Sequence, residues 1–279
     1  MKFETLRTIT EGLSTGNPEA AISAIEDALV GETGPAWHRE LRKLQLTLRD
    51  NKPRFSIFSE GNGKLPFLAF SAVPGAGFCP GAGDCLQFCY SFRAWRYPAA
   101  FCRQVQNSHL LNTESGRLAI LQALDSYGTD SRALRLYVDG DFRSIADVGF
   151  WMLTLHARPH LQAYGYSKSW AELLGYARTT GGVWPQNYIL NLSSGSRHDS
   201  DMQARIKALP IVRGRFIAVP VGHKVKSTDH GTRDHNAKLR AAFGNKAFTC
   251  PGKCGECTPR GHACGSKRFA GIDIIIAVH

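Results

Sequence analysis

Residues 132–157, RALRLYVDGDFRSIADVGFWMLTLHA, decide the fold class. The first half reads as a strand that ends in the polar turn Asp139-Gly140-Asp141. The second half, opened by Ser144 as a helix cap, carries its apolar residues at helical spacing. The same pair recurs downstream: LQAYGYSKS (161–169) precedes the helical WAELLGYART (170–179), and NYILNLSSGS (187–196) precedes DMQARIKAL (201–209). RFIAVPVGH (215–223) and GIDIIIAVH (271–279) are further strands. Strands that alternate with helices of this length imply right-handed crossovers and a parallel sheet.

Upstream, LPFLAFSAV (65–73) is the first core strand. It forms a hairpin with FSIF (55–58) across SEGNGK (59–64), where Gly61, Asn62 and Gly63 suit a tight turn. The helical segments YSFRAWRYPAAFCRQVQNSHLLN (90–112) and GRLAILQALDSYG (116–128) follow. Residues 1–50 read as helices: NPEAAISAIEDALV (17–30) has Asn17 as its cap and Pro18 at its first turn, and PAWHRELRKLQLTLR (35–49) carries a Trp37, Leu41, Leu44, Leu48 stripe. The expectation is a parallel (β/α) barrel-like core over residues 53–248, a partial TIM-type barrel. A small N-terminal helical appendage occupies 1–52, and a Cys-rich loop with a final strand occupies 249–279.

The strands end in polar or small residues: Asp139 and Asp141, Ser167 and Lys168, Ser193 and Ser194, His223 and Lys224. Ligands of parallel α/β folds sit at this carboxyl edge. Lys168 there suits a carboxylate or a phosphate, and Asp141 and Lys168 are the candidate catalytic residues. Asp139 and Asp141 have a plainer alternative as caps of the following helix.

The chemistry lies in the cysteines. Of 8, seven fall in two groups and Cys102 stands apart. FCPGAGDCLQFCY (78–90), on the first core strand's carboxyl side, places Cys79, Cys85 and Cys89 at C-x5-C-x3-C among glycines that permit a wrapped loop. Three thiolates hold three irons of a four-iron cluster and leave the fourth open; with one further ligand they hold zinc. TCPGKCGECTPRGHACG (249–265) places Cys250, Cys254, Cys257 and Cys264 at C-x3-C-x2-C-x6-C, a complete first shell for a structural zinc or an auxiliary cluster. The groups form two sites or share one.

The chain starts MKFETLRTITEGL, with acidic and polar residues where a signal peptide is apolar, and no stretch approaches the roughly 18 apolar residues of a membrane span. The expectation is a cytoplasmic protein without a membrane partner, in which clustered thiols are metal ligands rather than disulfides. A formal charge of +11 favours an anionic partner, and a nucleic acid or nucleotide is the commonest. Arg93 and Arg96 beside the first cysteine group, and Lys224 and Lys226 in GHKVKSTDHGTRDHNAKLR (222–240), are the candidate phosphate contacts. That last segment reads equally as a long solvated loop. There is no Walker-type loop and no Rossmann glycine fingerprint.

A three-cysteine loop after the first barrel strand, with Phe88 before its last cysteine, resembles the radical S-adenosylmethionine enzymes, although their usual spacing is C-x3-C-x2-C. The resemblance implies that Gly140 and Asp141 take the place of the motif that holds the amino group of S-adenosylmethionine, and that Ser193 and Ser194 form a further cosubstrate-contacting turn. CPGAGDCLQFCY, the helix up to Asn107, VDGDF, YGYSKS, LNLSSGS and the Cys-rich tail before the last strand together resemble the gene product 88 family of phages and plasmids. This implies a barrel-like domain of phage or mobile-element origin and names no reaction. Two functional expectations follow. One is an iron–sulfur protein, a radical S-adenosylmethionine-like enzyme with one or two [4Fe-4S] clusters acting on a nucleic acid or nucleotide. The other is a non-catalytic, zinc-stabilised nucleic-acid-binding protein.

Overall fold

The computed structural model describes residues 1–279 except 32–33, 64, 76, 222–224, 227–228, 244–246, 256, 259–260 and 278–279, and at residue 88 the backbone alone. Lys224, His223 and Arg260 therefore lie outside the described residues.

Three helices open the chain: α1 (Phe3–Ser14), α2 (Pro18–Val30) and α3 (Pro35–Asp50). Asn17 caps α2 through its side-chain oxygen, which accepts the Ala20 N–H at 3.2 Å. The strands are β1 (Phe58–Ser59), β2 (Leu68–Phe70), β3 (Arg132–Leu136), β4 (Leu161–Ser167), β5 (Tyr188–Ser193), β6 (Val212–Val219), β7 (Ala247–Thr249) and β8 (Asp273–Ala277). Between them lie α4 (Pro98–Leu111), α5 (Glu114–Asp125), α6 (Ile145–His156), α7 (Trp170–Thr179), α8 (Ser200–Lys207) and α9 (Arg233–Phe243).

The strands form one sheet in the order β1-β2-β3-β4-β5-β6-β8-β7. The expected hairpin is present, with Phe58 opposite Phe70 in the antiparallel β1–β2 pair. Every other pairing is parallel. No pairing joins β7 to β1 among the described residues, so the sheet is open in its hydrogen bonds. The final strand is not an outlier on the tail: β8 sits inside the sheet, between β6 and β7.

Residues alternate between the two faces of a strand, and here both faces are covered. Leu134, Leu136, Ala163, Leu190 and Leu192 point to one side, where Trp151, Leu155, Leu173 and Ile206 of α6, α7 and α8 complete the main core. Tyr164, Ile189 and Ile274 point to the other, where Ala263 and Cys264 of the tail pack on them. The Cys-rich tail is the lid of the second face.

Two local expectations are corrected, at 90–112 and at 222–240. The helix expected over 90–112 is broken, with a 3-10 segment at Tyr90–Arg96 and α4 starting only at Pro98. A residue before proline is pushed out of the helical region, and Tyr97 sits at φ −106°, ψ 113°. The stretch expected to be a long loop contains α9, and β7 precedes the second cysteine group. The N-terminal helices also share a core with the first cysteine loop and α4, since Leu6, Ile9 and Leu44 join Val73, Phe78, Trp95, Phe101 and Cys102 in one cluster. Among the described residues no helix is long and apolar enough to cross a membrane.

Candidate functional site

The first cysteine loop is positioned by close backbone docking on the carboxyl ends of β4 and β5. The Gly83 N–H donates to the Gly195 carbonyl at 3.0 Å and the Arg197 N–H donates to the Gly81 carbonyl at 3.0 Å, around an Ala82–Ser196 bridge. Gly81 permits this approach: a Cβ there would lie 1.6 Å from the Lys168 carbonyl oxygen. Tyr90, directly after Cys89, donates its hydroxyl to the Val138 carbonyl at 2.5 Å and ties the loop to the end of β3.

The second group is carried by the tail and held by β5 and β6. The buried Arg213 guanidinium donates to Asn191 Oδ1 at 2.6 Å and to the carbonyls of Phe269, Ile272 and Arg215 at 2.8, 2.6 and 3.1 Å. Asn191 Nδ2 in turn donates to the Cys264 carbonyl at 3.0 Å. His262 packs its ring 4.6 Å from Tyr164 and 4.7 Å from Phe67, and its Nδ1 accepts the Gly265 N–H. The Cys257 sulfur accepts the Ala263 N–H at 3.3 Å.

These two constructions meet at one cavity of about 480 Å³. All seven grouped cysteines line it, from Cys79, Cys85 and Cys89 to Cys250, Cys254, Cys257 and Cys264. Gly140, Asp141, Lys168, Ser193 and Ser194 line it as well. Cys102 does not, being buried in the N-terminal cluster. Residues expected at the carboxyl edge from separate segments of the chain thus surround one space.

The polar residues are tightly engaged. Asp141 Oδ1 accepts from Ser167 Oγ at 2.7 Å and from the Phe142 N–H at 2.8 Å, and Oδ2 accepts from the Lys168 N–H at 2.7 Å. Burial raises its pKa, and these hydrogen bonds offset part of that effect. Lys168 Nζ donates to Ser193 Oγ at 2.8 Å, while Ser194 Oγ accepts the Ala218 N–H at 2.9 Å. Gly140 adopts φ +81°, and a Cβ there would press on the Val73 carbonyl at 3.0 Å. Asp139 accepts from Gln104 at 3.0 Å, which ties it to α4 rather than to the cavity.

The donor set fits a thiolate-bound centre. Soft sulfur ligands select zinc or iron–sulfur clusters, and the cavity's one carboxylate, Asp141, already has both oxygens engaged. Among the described residues no three His, Cys, Asp or Glu side chains lie at metal-holding distance from one another. Burial pushes the Cys250 thiol up to about 12 and Cys264 to about 11, and raises Cys79, Cys85 and Cys257. Thiols so raised are protonated at neutral pH, so a metal bound there would have to displace their protons.

The expected phosphate contacts are elsewhere. Arg93 and Arg96 are exposed on the 3-10 segment beyond Cys89, and Lys226 is exposed on the stretch before α9; none of the three lines the cavity. Asn191 and Arg213 were not anticipated from the sequence. An asparagine inside the apolar YILNLS strand and an arginine opening β6 were the available signals.

The profile described as gene product 88 matches residues 44–271. No curated protein and no solved structure shows a significant match to the chain.

Proposed function

This chain belongs to the gene product 88 family, and on that premise we propose that it is an iron–sulfur protein of phage or mobile-element type, a cytoplasmic radical S-adenosylmethionine-like enzyme acting on a nucleic acid or nucleotide. The observation that carries the reading is the convergence of seven cysteines with Gly140, Asp141, Lys168, Ser193 and Ser194 on one cavity. Purely structural zinc sites are closed, whereas here both cysteine groups face a common space. The six neighbouring parallel strands β2, β3, β4, β5, β6 and β8, with helices on one face and this cavity on the other, also suit a partial barrel.

In this reading Cys79, Cys85 and Cys89 hold the reactive centre, and Cys250, Cys254, Cys257 and Cys264 hold an auxiliary one. When bound, a four-iron cluster with an open iron supplies ligand activation and electron transfer to S-adenosylmethionine. The chain's own residues do the rest. Asp141 fixes the ends of β3 and β4 against each other, which sets the backbone at Gly140 for the cosubstrate. Lys168, steadied by Ser193, presents an ammonium group to an anionic ligand. Tyr164, Tyr166 and Phe216 wall the cavity and limit water.

Iron, acid-labile sulfide and zinc content, with an absorption spectrum, on protein purified without oxygen test the proposal. Iron with matching sulfide and cleavage of S-adenosylmethionine are expected. Zinc alone in a colourless protein would reject the enzyme and favour a zinc-stabilised nucleic-acid-binding protein, for which the +11 charge and the exposed Arg93 and Arg96 speak.

A further inference from the structure

Two arginines reach the tail-covered face of the sheet, and their surroundings differ. Arg213 gives its donors to Asn191 and three carbonyls. The side chain of Arg135, which lines the cavity, has no hydrogen bond and no carboxylate within ion-pairing distance among the described residues, and its Nε is buried without a partner. Its guanidinium lies 4.8 Å over the Tyr166 ring. The acid nearest along the chain, Asp139, is already hydrogen-bonded to Gln104.

A guanidinium remains protonated in proteins, and among the described residues this one has no hydrogen-bond acceptor or ion pair to offset its partial burial, although the Asp139 carboxyl, held by Gln104, feels its charge. Arg135 is therefore poorly explained as a contributor to stability. It is well placed for a ligand: an arginine fork offers paired N–H groups to an oxyanion, and Lys168 supplies a second positive group to the same cavity. Tyr164, Tyr166, Phe216 and Phe248 add aromatic surface, with Tyr166 and Phe216 centroids 4.7 Å apart. Aromatic faces accept planar bases by stacking. The volume lies within the ~300–1,000 Å³ range of small-molecule sites and has no room for a duplex.

We infer that Arg135 binds the phosphate of a nucleotide, either free or as one unit turned out of a longer strand, whose base lies against the aromatic wall. The inference rests on the proposed cavity as a ligand site and narrows its substrate to one nucleotide. The test is calorimetric titration of the protein as purified, metal included, with AMP, GMP, CMP and UMP and with the four matching nucleosides. At least one nucleotide should bind tenfold or more tightly than its nucleoside. Arg135→Gln should abolish that ratio while metal content and melting temperature hold, and Arg135→Lys should retain part of it.

Equal binding of nucleotide and nucleoside, no nucleotide binding to the unaltered protein, or an unchanged ratio in Arg135→Gln would overturn the inference. So would loss of metal together with the ratio in Arg135→Gln, because Arg135 would then be the counter-charge of the thiolates near Cys254. Binding is read without turnover, so a zinc-only protein that binds nucleotide would sink the enzyme reading alone. An iron-loaded protein that binds none would sink this inference alone.

Discussion

Gly81 leaves no space for a side chain. A Cβ there would meet the Lys168 carbonyl oxygen at 1.6 Å and its carbon at 2.3 Å, both backbone atoms that cannot rotate away. Gly81→Ala must therefore lift the loop off β4, at an overpacking cost of about 1–3 kcal/mol or more. The expected outcome is a lower melting temperature together with loss of any metal that, in the proposed reading, Cys79, Cys85 and Cys89 hold; a variant with full metal content would show that the docking is dispensable. Arg213 makes the opposite case. Arg213→Met strips donors from Asn191 Oδ1 and three part-buried carbonyls, at about 1–3 kcal/mol for a buried acceptor left unpaired, readable as a loss of chemical-denaturation stability. The sequence shows that Gly81 lies in a glycine-rich turn, because the residue type announces it. It hides the role of Arg213, because nothing local tells an arginine that closes a buried network from one that faces solvent; the partners Phe269 and Ile272 are more than fifty residues away.

α4 shows the same limit for a whole element. Its run QVQNSH has polar residues around the helix, which in isolation suggests a solvated helix, yet Gln104, Gln106, Asn107, Ser108 and His109 are all buried. Each has a backbone or side-chain task. Gln106 Oε1 accepts the N–H groups of Arg54 and Phe55, Asn107 Nδ2 donates to the carbonyls of Ile57 and Ser71, and Ser108 Oγ accepts the Val73 N–H. α4 thus satisfies the strand-flanking segments around β1 and β2 that have too few ladder partners of their own. Asn107→Leu should leave two carbonyls unpaired in the core, at about 1–3 kcal/mol each; denaturation midpoints near the parent value would show that water reaches them. The alternating strands and helices from β3 to β6 were legible because periodicity is local. Pro98 carried the break in the helix before α4, a signal present in the sequence and overridden by the apolar pattern around it. β7 and α9 were missed because three residues are too few to show a period and because a charged helix resembles a loop.

At the scale of the molecule, the fold holds the tail by two means that separate experimentally. Residues 264–277 are fixed without a metal: Asn191 holds the Cys264 carbonyl, Arg213 holds those of Phe269 and Ile272, and β8 is paired on both sides. The corresponding side-chain holds on the tail fall on residues 264–277, whereas three of the four tail thiols, Cys250, Cys254 and Cys257, lie in 250–262. Because a metal that binds only the folded site adds its binding energy to that site's stability, its removal should loosen the second stretch selectively. Hydrogen exchange measured before and after chelation should accelerate at 250–262 and on the loop 79–89, while β6, β8 and 264–272 stay protected. Acceleration through β8 would mean that the metal holds the sheet itself and that the Asn191–Arg213 network is secondary. Unchanged exchange everywhere would mean that the seven cysteines around the cavity hold nothing. The selective pattern is what the proposed reading requires of this fold: the sheet and its buried arginine carry the tail to the cavity, and a metal bound by the cysteines would hold the rest.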